Sequence, residues 1–145
     1  MWIHNKKFIH RDIKPDNILT GIGKDRKLLY LIDFGLWKRY WDTRLNRHEP
    51  SRHDRDFVGT ARYASLNSHL GIDLGRRDDL ESLCYVACYL LRGKLPWQNA
   101  SGIAREDRYR IIGEIKAQTN AEDLFEGYPV EWNLILKYIR SLTYE

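Results

Sequence analysis

The densest apolar pattern in the chain runs from Asp79 to Leu91, where Leu80, Leu83, Cys84, Tyr85, Val86, Ala87, Cys88, Tyr89, Leu90 and Leu91 leave little polar face. That density predicts a helix buried on nearly all sides, with Asp78 or Asp79 capping its start and Gly93 its end. Glu106 to Lys116 predicts a weaker helix with Tyr109, Ile112 and Ile115 on one face. Toward the end, Trp132, Ile135, Leu136, Ile139 and Leu142 recur at helical spacing. Earlier, Leu28-Leu29-Tyr30-Leu31-Ile32 predicts a buried strand. The apolar pair Ile18-Leu19 lies on the other side of a turn at Gly21-Ile22-Gly23-Lys24-Asp25-Arg26-Lys27, so the two flank a hairpin. From Gly35 to Ala64 no periodicity is sustained, and the stretch is polar and rich in Arg and His. A structureless stretch of that length inside a compact domain is usually functional. The expected fold is mainly α, in the α+β class, with one small β-hairpin and neither repeats nor a linker.

Composition narrows the class. With 43% hydrophobic and 30% charged residues in 145, the chain is neither collagen-like nor low in complexity. No run approaches the ~20 apolar residues of a membrane helix, and Met1-Trp2-Ile3-His4-Asn5-Lys6-Lys7 does not build a signal peptide. The expectation is no membrane association. Two cysteines are too few for a disulfide framework and suggest a reducing, intracellular setting, cytoplasm and/or nucleus. Cys84 and Cys88, four apart on the buried helix without a His or Cys partner nearby, read as core thiols and not as a metal site. The charge is uneven: residues 1–62 carry 14 Lys+Arg against 8 Asp+Glu, a net of +6, and the remainder is slightly acidic at −2. The basic residues are scattered through loops and not interleaved with aromatics on one face, which argues against nucleic-acid binding. A solvated face or a landing site for phosphate groups fits better.

The strongest chemical signal is His10-Arg11-Asp12-Ile13-Lys14-Pro15-Asp16-Asn17, followed after the hairpin by Asp33-Phe34-Gly35. Phosphoryl transfer from ATP needs a carboxylate to orient the attacking hydroxyl and accept its proton. It also needs carboxylate and amide oxygens to hold magnesium on the phosphates, and a cation to offset the transferring charge. Asp12, Asn17 and Asp33 with Lys14 supply that set. Antiparallel pairing folds Asn17 back toward Asp33, bringing the oxygens to one edge.

These residues resemble the catalytic loop and metal-binding loop of protein kinases. The resemblance implies ATP and magnesium as cofactors, Asp12 as catalytic base, Lys14 as the γ-phosphate contact, and Asn17 and Asp33 as magnesium ligands. It implies Arg11 as a link to the activation segment, and Lys14 two residues after Asp12 follows the serine/threonine pattern. His10 is expected to be a core histidine holding the loop, and Asp16 to brace it. Further on stand Gly59-Thr60-Ala61-Arg62-Tyr63-Ala64-Ser65-Leu66-Asn67-Ser68-His69-Leu70-Gly71, Arg76-Arg77-Asp78-Asp79-Leu80-Glu81-Ser82-Leu83 and Leu95-Pro96-Trp97-Gln98. These are similar to the casein kinase 1 family, whose activation segment ends in a Ser-Ile-Asn-type sequence, here Ser65-Leu66-Asn67. By that resemblance Thr60 contacts the base and Lys14, and Asp79 holds the catalytic-loop backbone. Arg62, Gln98 and Arg108 match the family's anion site for acidic or phosphorylated protein substrates. Two guanidinium groups suit a phosphate.

Three positions depart from the family: Cys84 for a Gly, Trp37 for an Ala and Asn99 for a Gly. None removes a catalytic group. The resemblance implies that residues 1–145 form a partial kinase domain, a C-terminal lobe with the N-terminal lobe absent. No Gly-x-Gly-x-x-Gly loop is present, since Gly21-Ile22-Gly23 is followed by Arg26 where a third Gly would stand. Trp2-Ile3 to Phe8-Ile9 reads as the last turn of a helix. A large apolar patch is then expected where the missing lobe and helix would sit. Two functions follow. One is a serine/threonine kinase of casein kinase 1 type; the other is a catalytically silent module that binds acidic or phosphorylated partners.

Overall fold

The computed structural model describes residues 1–100 and 104–145. Its centre is the helix expected around residue 79, which runs as Arg76–Arg92. Numbering the helices along the chain, α1 is Trp2–Asn5, α2 Leu66–His69, α3 this central helix, α4 Arg105–Gln118, α5 Ala121–Leu124 and α6 Glu131–Ser141. The start of α3 is set by Asp78, whose carboxylate accepts the backbone N–H of Gly75 at 2.7 Å. Asp78 and Asp79 together place two acids in the first turn, where the helix dipole favours them. Gly93 ends it, with Arg92 donating to the Asp123 and Leu124 carbonyls at 3.0 and 2.8 Å.

Tyr85, Val86 and Cys88 of α3 pack with Trp97, Leu124, Phe125, Leu136 and Ile139 into one core. The Tyr85 and Trp97 rings meet edge to face at 4.9 Å. Burial on nearly all sides does not hold for α3, however. Leu83, Leu90 and Leu91 are 39%, 69% and 42% exposed. At spacings of seven and eight they share one face, and none of the described elements covers it. In α6 the apolar face is turned inward at Leu136 and Ile139, while Ile135 is left half exposed.

α4 begins one residue before the expected helix and ends two after it. It packs on α2, whose first turn is capped by Ser65 accepting the Ser68 N–H. The approach is close: a Cβ on Gly113 of α4 would meet the His69 Cβ at 2.8 Å, so the contact requires glycine there.

Strands are short and paired in three antiparallel ribbons: β1 Phe8–Ile9 with β4 Lys38–Arg39, β2 Ile18–Thr20 with β3 Leu29–Leu31, and β5 Trp41–Asp42 with β6 Arg47–His48. Three of these strands, β4, β5 and β6, fall in the stretch expected to be structureless, because two-residue strands carry no periodicity to read. In the expected hairpin the register is Ile18↔Leu31, Leu19↔Tyr30 and Thr20↔Leu29. Its second strand is not buried: Leu28, Leu29 and Tyr30 are 52%, 70% and 47% exposed. A two-stranded ribbon has two faces, and only Ile18 and Leu31 lean on the core. An open apolar groove of about 550 Å³ runs between the hairpin, α1 and Leu83, lined by Trp2, Ile13, Ile18, Leu31 and Phe34 among others. Among the described residues no helix is long and apolar enough to cross a membrane.

Candidate functional site

The segment His10 to Asn17 crosses the molecule between the first turn of α3 and the β2–β3 hairpin. Asp79, 2% exposed, fixes its inner side. One carboxylate oxygen accepts from the His10 N–H at 2.8 Å and from His4 Nε2 at 2.8 Å; the other accepts from the Arg11 N–H at 2.9 Å. Arg11 sits at φ 70, a left-handed conformation that costs a residue with a Cβ of order 1–3 kcal/mol. The Asp79 bond and an Arg11 Nε–H donated to the Leu36 carbonyl at 2.6 Å hold it there. Gly59 lies against the same turn at φ 99, and a Cβ on it would meet the Arg11 carbonyl oxygen at 2.6 Å. That position accepts only glycine, and it delivers the next residue, Thr60, to the loop.

Asp12 is the convergence point. Its Oδ1 accepts the Thr60 hydroxyl at 2.7 Å, its Oδ2 accepts the Lys14 ammonium at 2.8 Å, and Lys14 also donates to the Thr60 oxygen at 3.3 Å. Burial pushes the Asp12 carboxyl up, but the Lys14 and Thr60 bonds outweigh it and hold the group below the usual carboxylate range. Lys14 is raised in turn, first by its bond to Asp12. At neutral pH the pair is a carboxylate and an ammonium.

His10 is fully buried and spans the two sides of the loop. Its Nδ1 accepts the Asp12 N–H at 3.3 Å, so Nε2 carries the proton and donates to the Ile32 carbonyl at 2.9 Å. The Ile32 N–H continues the hairpin ladder to the Asn17 carbonyl at 2.9 Å, which brings the chain ends at Asn17 and Asp33 to one edge. Asn17, buried, donates its amide N–H to the Asp12 carbonyl at 2.9 Å and to Asp12 Oδ2 at 3.3 Å, which leaves its Oδ1 as an acceptor. Asp33, also left-handed at φ 65, is exposed, and only its Oδ1 is engaged, by the Gly35 N–H at 3.1 Å. One free amide oxygen and one free carboxylate oxygen fit a hard cation that keeps most of its ligands from water and phosphate, as magnesium does. No group of three or more His, Cys, Asp or Glu side chains among the described residues could hold a metal by itself. Cys84 and Cys88 are free and buried, their thiols pushed up to about 12 and about 11 by burial.

A second cavity of about 430 Å³ opens beside Thr60. Arg62, Gln98 and Arg108 all line it. The Arg62 guanidinium lies 5.9 and 5.7 Å from the Tyr63 and Tyr89 rings, which restrain it. Trp97 donates its indole N–H to the Arg62 carbonyl at 2.7 Å. Arg108 is exposed at the rim. Gln98 is only partly available, because its Oε1 accepts the Leu95 N–H at 3.3 Å. Asp16 does not brace the loop as expected: it is exposed and lines this cavity instead.

Several long-range contacts that shape the site carried no local signal. His4 reaches Asp79 across 75 positions. Asp78 gathers the Ser65 hydroxyl at 2.8 Å and the Asn67 amide at 2.9 Å, tying α2 to α3. Asp73 takes Lys38 at 2.7 Å, Arg55 at 3.4 Å and the Arg52 N–H at 3.2 Å, gathering the segment that follows Asp33. Lys116 is fully enclosed under Thr60–Ala64; its one trace in the sequence is that it stands four residues after Ile112, on the apolar face of its helix. A protein-family model, that of the protein kinase domain, matches residues 1–131.

Proposed function

Because the chain belongs to the protein kinase domain family, we propose that it serves as a serine/threonine kinase of casein kinase 1 type, acting on acidic or already phosphorylated proteins. The observation that carries this reading is the Asp12 carboxylate, ionised and held at 2.7 Å by Thr60 and 2.8 Å by Lys14, beside the free oxygens of Asn17 and Asp33. Protein kinase domains use ATP and magnesium, and magnesium neutralises the phosphate charge as it develops. Asn17 Oδ1 and Asp33 are the groups that would hold it here. Asp12 accepts the hydrogen bond of the incoming serine or threonine hydroxyl, orients it and takes its proton. Lys14 faces the transferring phosphoryl oxygens, and its bond to Asp12 fixes both groups. Thr60, donating to Asp12, aligns the carboxylate and edges the space for a small hydroxyl side chain. The preference for serine or threonine is supported by Lys14 two residues after Asp12. The lobe of the kinase fold that carries the catalytic loop is the part to which we assign residues 1–145.

The substrate preference rests on the cavity that Arg62 and Arg108 both line, since two guanidinium groups bind a phosphate by paired hydrogen bonds. Two free cysteines support a reducing interior, cytoplasm or nucleus. The cavity also favours the second reading, a binding module: it is built from the residues around Thr60, Trp97 and α4 and does not depend on the metal edge.

Transfer of labelled phosphate from Mg-ATP to an acidic serine peptide tests the first reading. Asp12→Asn is expected to lower the rate by at least about a hundredfold while peptide binding stays, the loss typical of a removed general base. Equal rates for Asp12→Asn and wild type refute the assignment of the base. Binding of a phosphoserine peptide without any transfer selects the binding module.

A further inference from the structure

An ammonium taken out of water is costly unless every one of its protons meets an acceptor. Lys116 meets that condition at zero exposure. Its Nζ donates to the Ala61 carbonyl at 2.7 Å and the Ala64 carbonyl at 2.5 Å, and lies 3.1 Å from His69 Nε2. His69 Nδ1 faces the Tyr109 carbonyl at 2.9 Å, which can only accept, so Nδ1 carries the ring proton and Nε2 is a lone pair. Three protons meet three acceptors. The rings of Tyr85 and Trp97, 5.0 and 5.1 Å from Nζ, line the remaining sides.

The two carbonyls belong to the segment that faces the substrate. Tyr63 and Ala64 both donate their N–H to the Thr60 carbonyl at 2.9 Å, so Thr60 to Ala64 is one tight turn. Thr60 touches Asp12 on one side of that turn, and Arg62 opens onto the cavity on the other. Lys116 itself touches neither.

We propose that Lys116 is the positioning residue of this segment: its enclosed ammonium clamps the Ala61 and Ala64 carbonyls, keeping Thr60 on Asp12 and Arg62 at the cavity mouth. The functional half of this inference rests on the kinase reading above.

The clamp is pH-sensitive. Burial draws the Lys116 ammonium down to about 7, with Glu81 of α3 opposing the fall and Arg140 of α6 adding to it. His69 of α2 is kept neutral, at about 4, by burial and by Lys116, and burial raises the Tyr85 hydroxyl of α3. A neutral amine has two protons and one lone pair for three acceptors, so above about pH 7 one contact is lost whichever tautomer His69 adopts. Folding responds in the opposite sense. The unfolded chain keeps this proton up to the ordinary 10.5, so between about 7 and 10.5 the native state binds fewer protons and gains stability as pH rises. Weaker positioning with rising stability separates a clamp from a merely structural lysine.

The test uses the full chain, wild type and Lys116→Met, with three readouts. These are amide exchange at Tyr63 and Ala64 corrected for intrinsic rates, affinity for an acidic phosphoserine peptide, and kcat and KM for transfer to a serine peptide. From about pH 6 to about pH 9 the wild type is expected to exchange roughly tenfold faster at those amides and to bind the peptide roughly tenfold more weakly, the scale of one lost charged hydrogen bond, without a fall in Tm. Lys116→Met is expected to exchange fast at every pH, with α3 amides unaltered. Wild-type exchange that is flat through pH 7, or a folded Lys116→Met matching wild type, overturns the clamp. Should Lys116→Met not fold, the wild-type profile decides alone. Exchange that responds as expected in a chain that neither binds peptide nor transfers phosphate upholds the clamp and overturns the kinase reading.

Discussion

The first turn of α3 and the β2–β3 hairpin flank the same segment, His10 to Asn17, and hold it by opposite means. On the α3 side one enclosed carboxylate, Asp79, collects three donors, and these lie 68 to 75 positions away in sequence. On the hairpin side the tie is main-chain pairing plus one histidine, while Leu29, Tyr30 and Ile22 stand in water at 70%, 47% and 88% exposure. The loop is thus anchored from the interior and merely edged by the hairpin. The strained conformation at Arg11 is over-determined from the interior side, whereas Asp33, a residue type that tolerates the left-handed region, keeps φ 65 at the exposed edge. The proposed metal edge, by contrast, pairs a buried Asn17 with an exposed Asp33 at the end of the hairpin, which leaves Asp33 open.

The largest test of this contrast is Asp79→Ala. It leaves the His10 and Arg11 N–H groups and His4 without their acceptor in a site that is 2% exposed. Breaking a buried charged network by removing one partner costs about 3–5 kcal/mol. Urea unfolding should show that loss, and a loss under 1 kcal/mol would mean the loop is not held from α3. Next comes His10→Phe, which keeps a ring in place but removes the one side chain joining the two sides. The Asp12 N–H and the Ile32 carbonyl lose their partners, at about 1–3 kcal/mol. The rate of phosphate transfer should fall with it, because Asp12 is then freed at its own backbone. A destabilised variant with an unchanged kcat would show that His10 serves stability alone.

The same contrast explains what could be read from sequence. The grouping of Asp12, Lys14, Asn17 and Asp33 was legible because it depends on residue type, order and short spacing, and one hairpin supplies the geometry. The helices were legible wherever a single face is apolar. Burial was not. Leu28 to Ile32 and Leu83, Leu90 and Leu91 are as apolar as core residues, and no local pattern says which surface something else covers. Asp78 caps the start of α3 as expected, but from inside the first turn, accepting from Gly75, so the helix begins three residues before Asp79. Asp16 was misassigned for a related reason: a short polar side chain in a loop can brace or project, and only packing decides. Lys116 was hidden by its type, since a lysine on a helix ordinarily belongs to the solvated face. Its contacts, like those of His4, join residues 47 to 75 positions apart.

The smallest expected effect lies on the hairpin. Leu29→Ser changes a side chain that is 70% exposed and makes no contact with the core cluster. Its backbone pairing with Thr20 does not depend on the side chain. Surface substitutions away from caps, cavities and networks usually stay within ±0.5 kcal/mol, so the urea midpoint should barely move. Serine lacks the branched or aromatic bulk that favours strands, which sets the sign as slightly destabilising. Solution behaviour should change more than stability does. The exposed leucine adjoins the open groove of about 550 Å³, and apolar surface of that kind drives self-association. Light scattering against concentration should therefore show less association for Leu29→Ser than for wild type. A loss of 2 kcal/mol instead would mean that the hairpin is anchored through its side chains after all, and the two sides of the loop would no longer differ in kind.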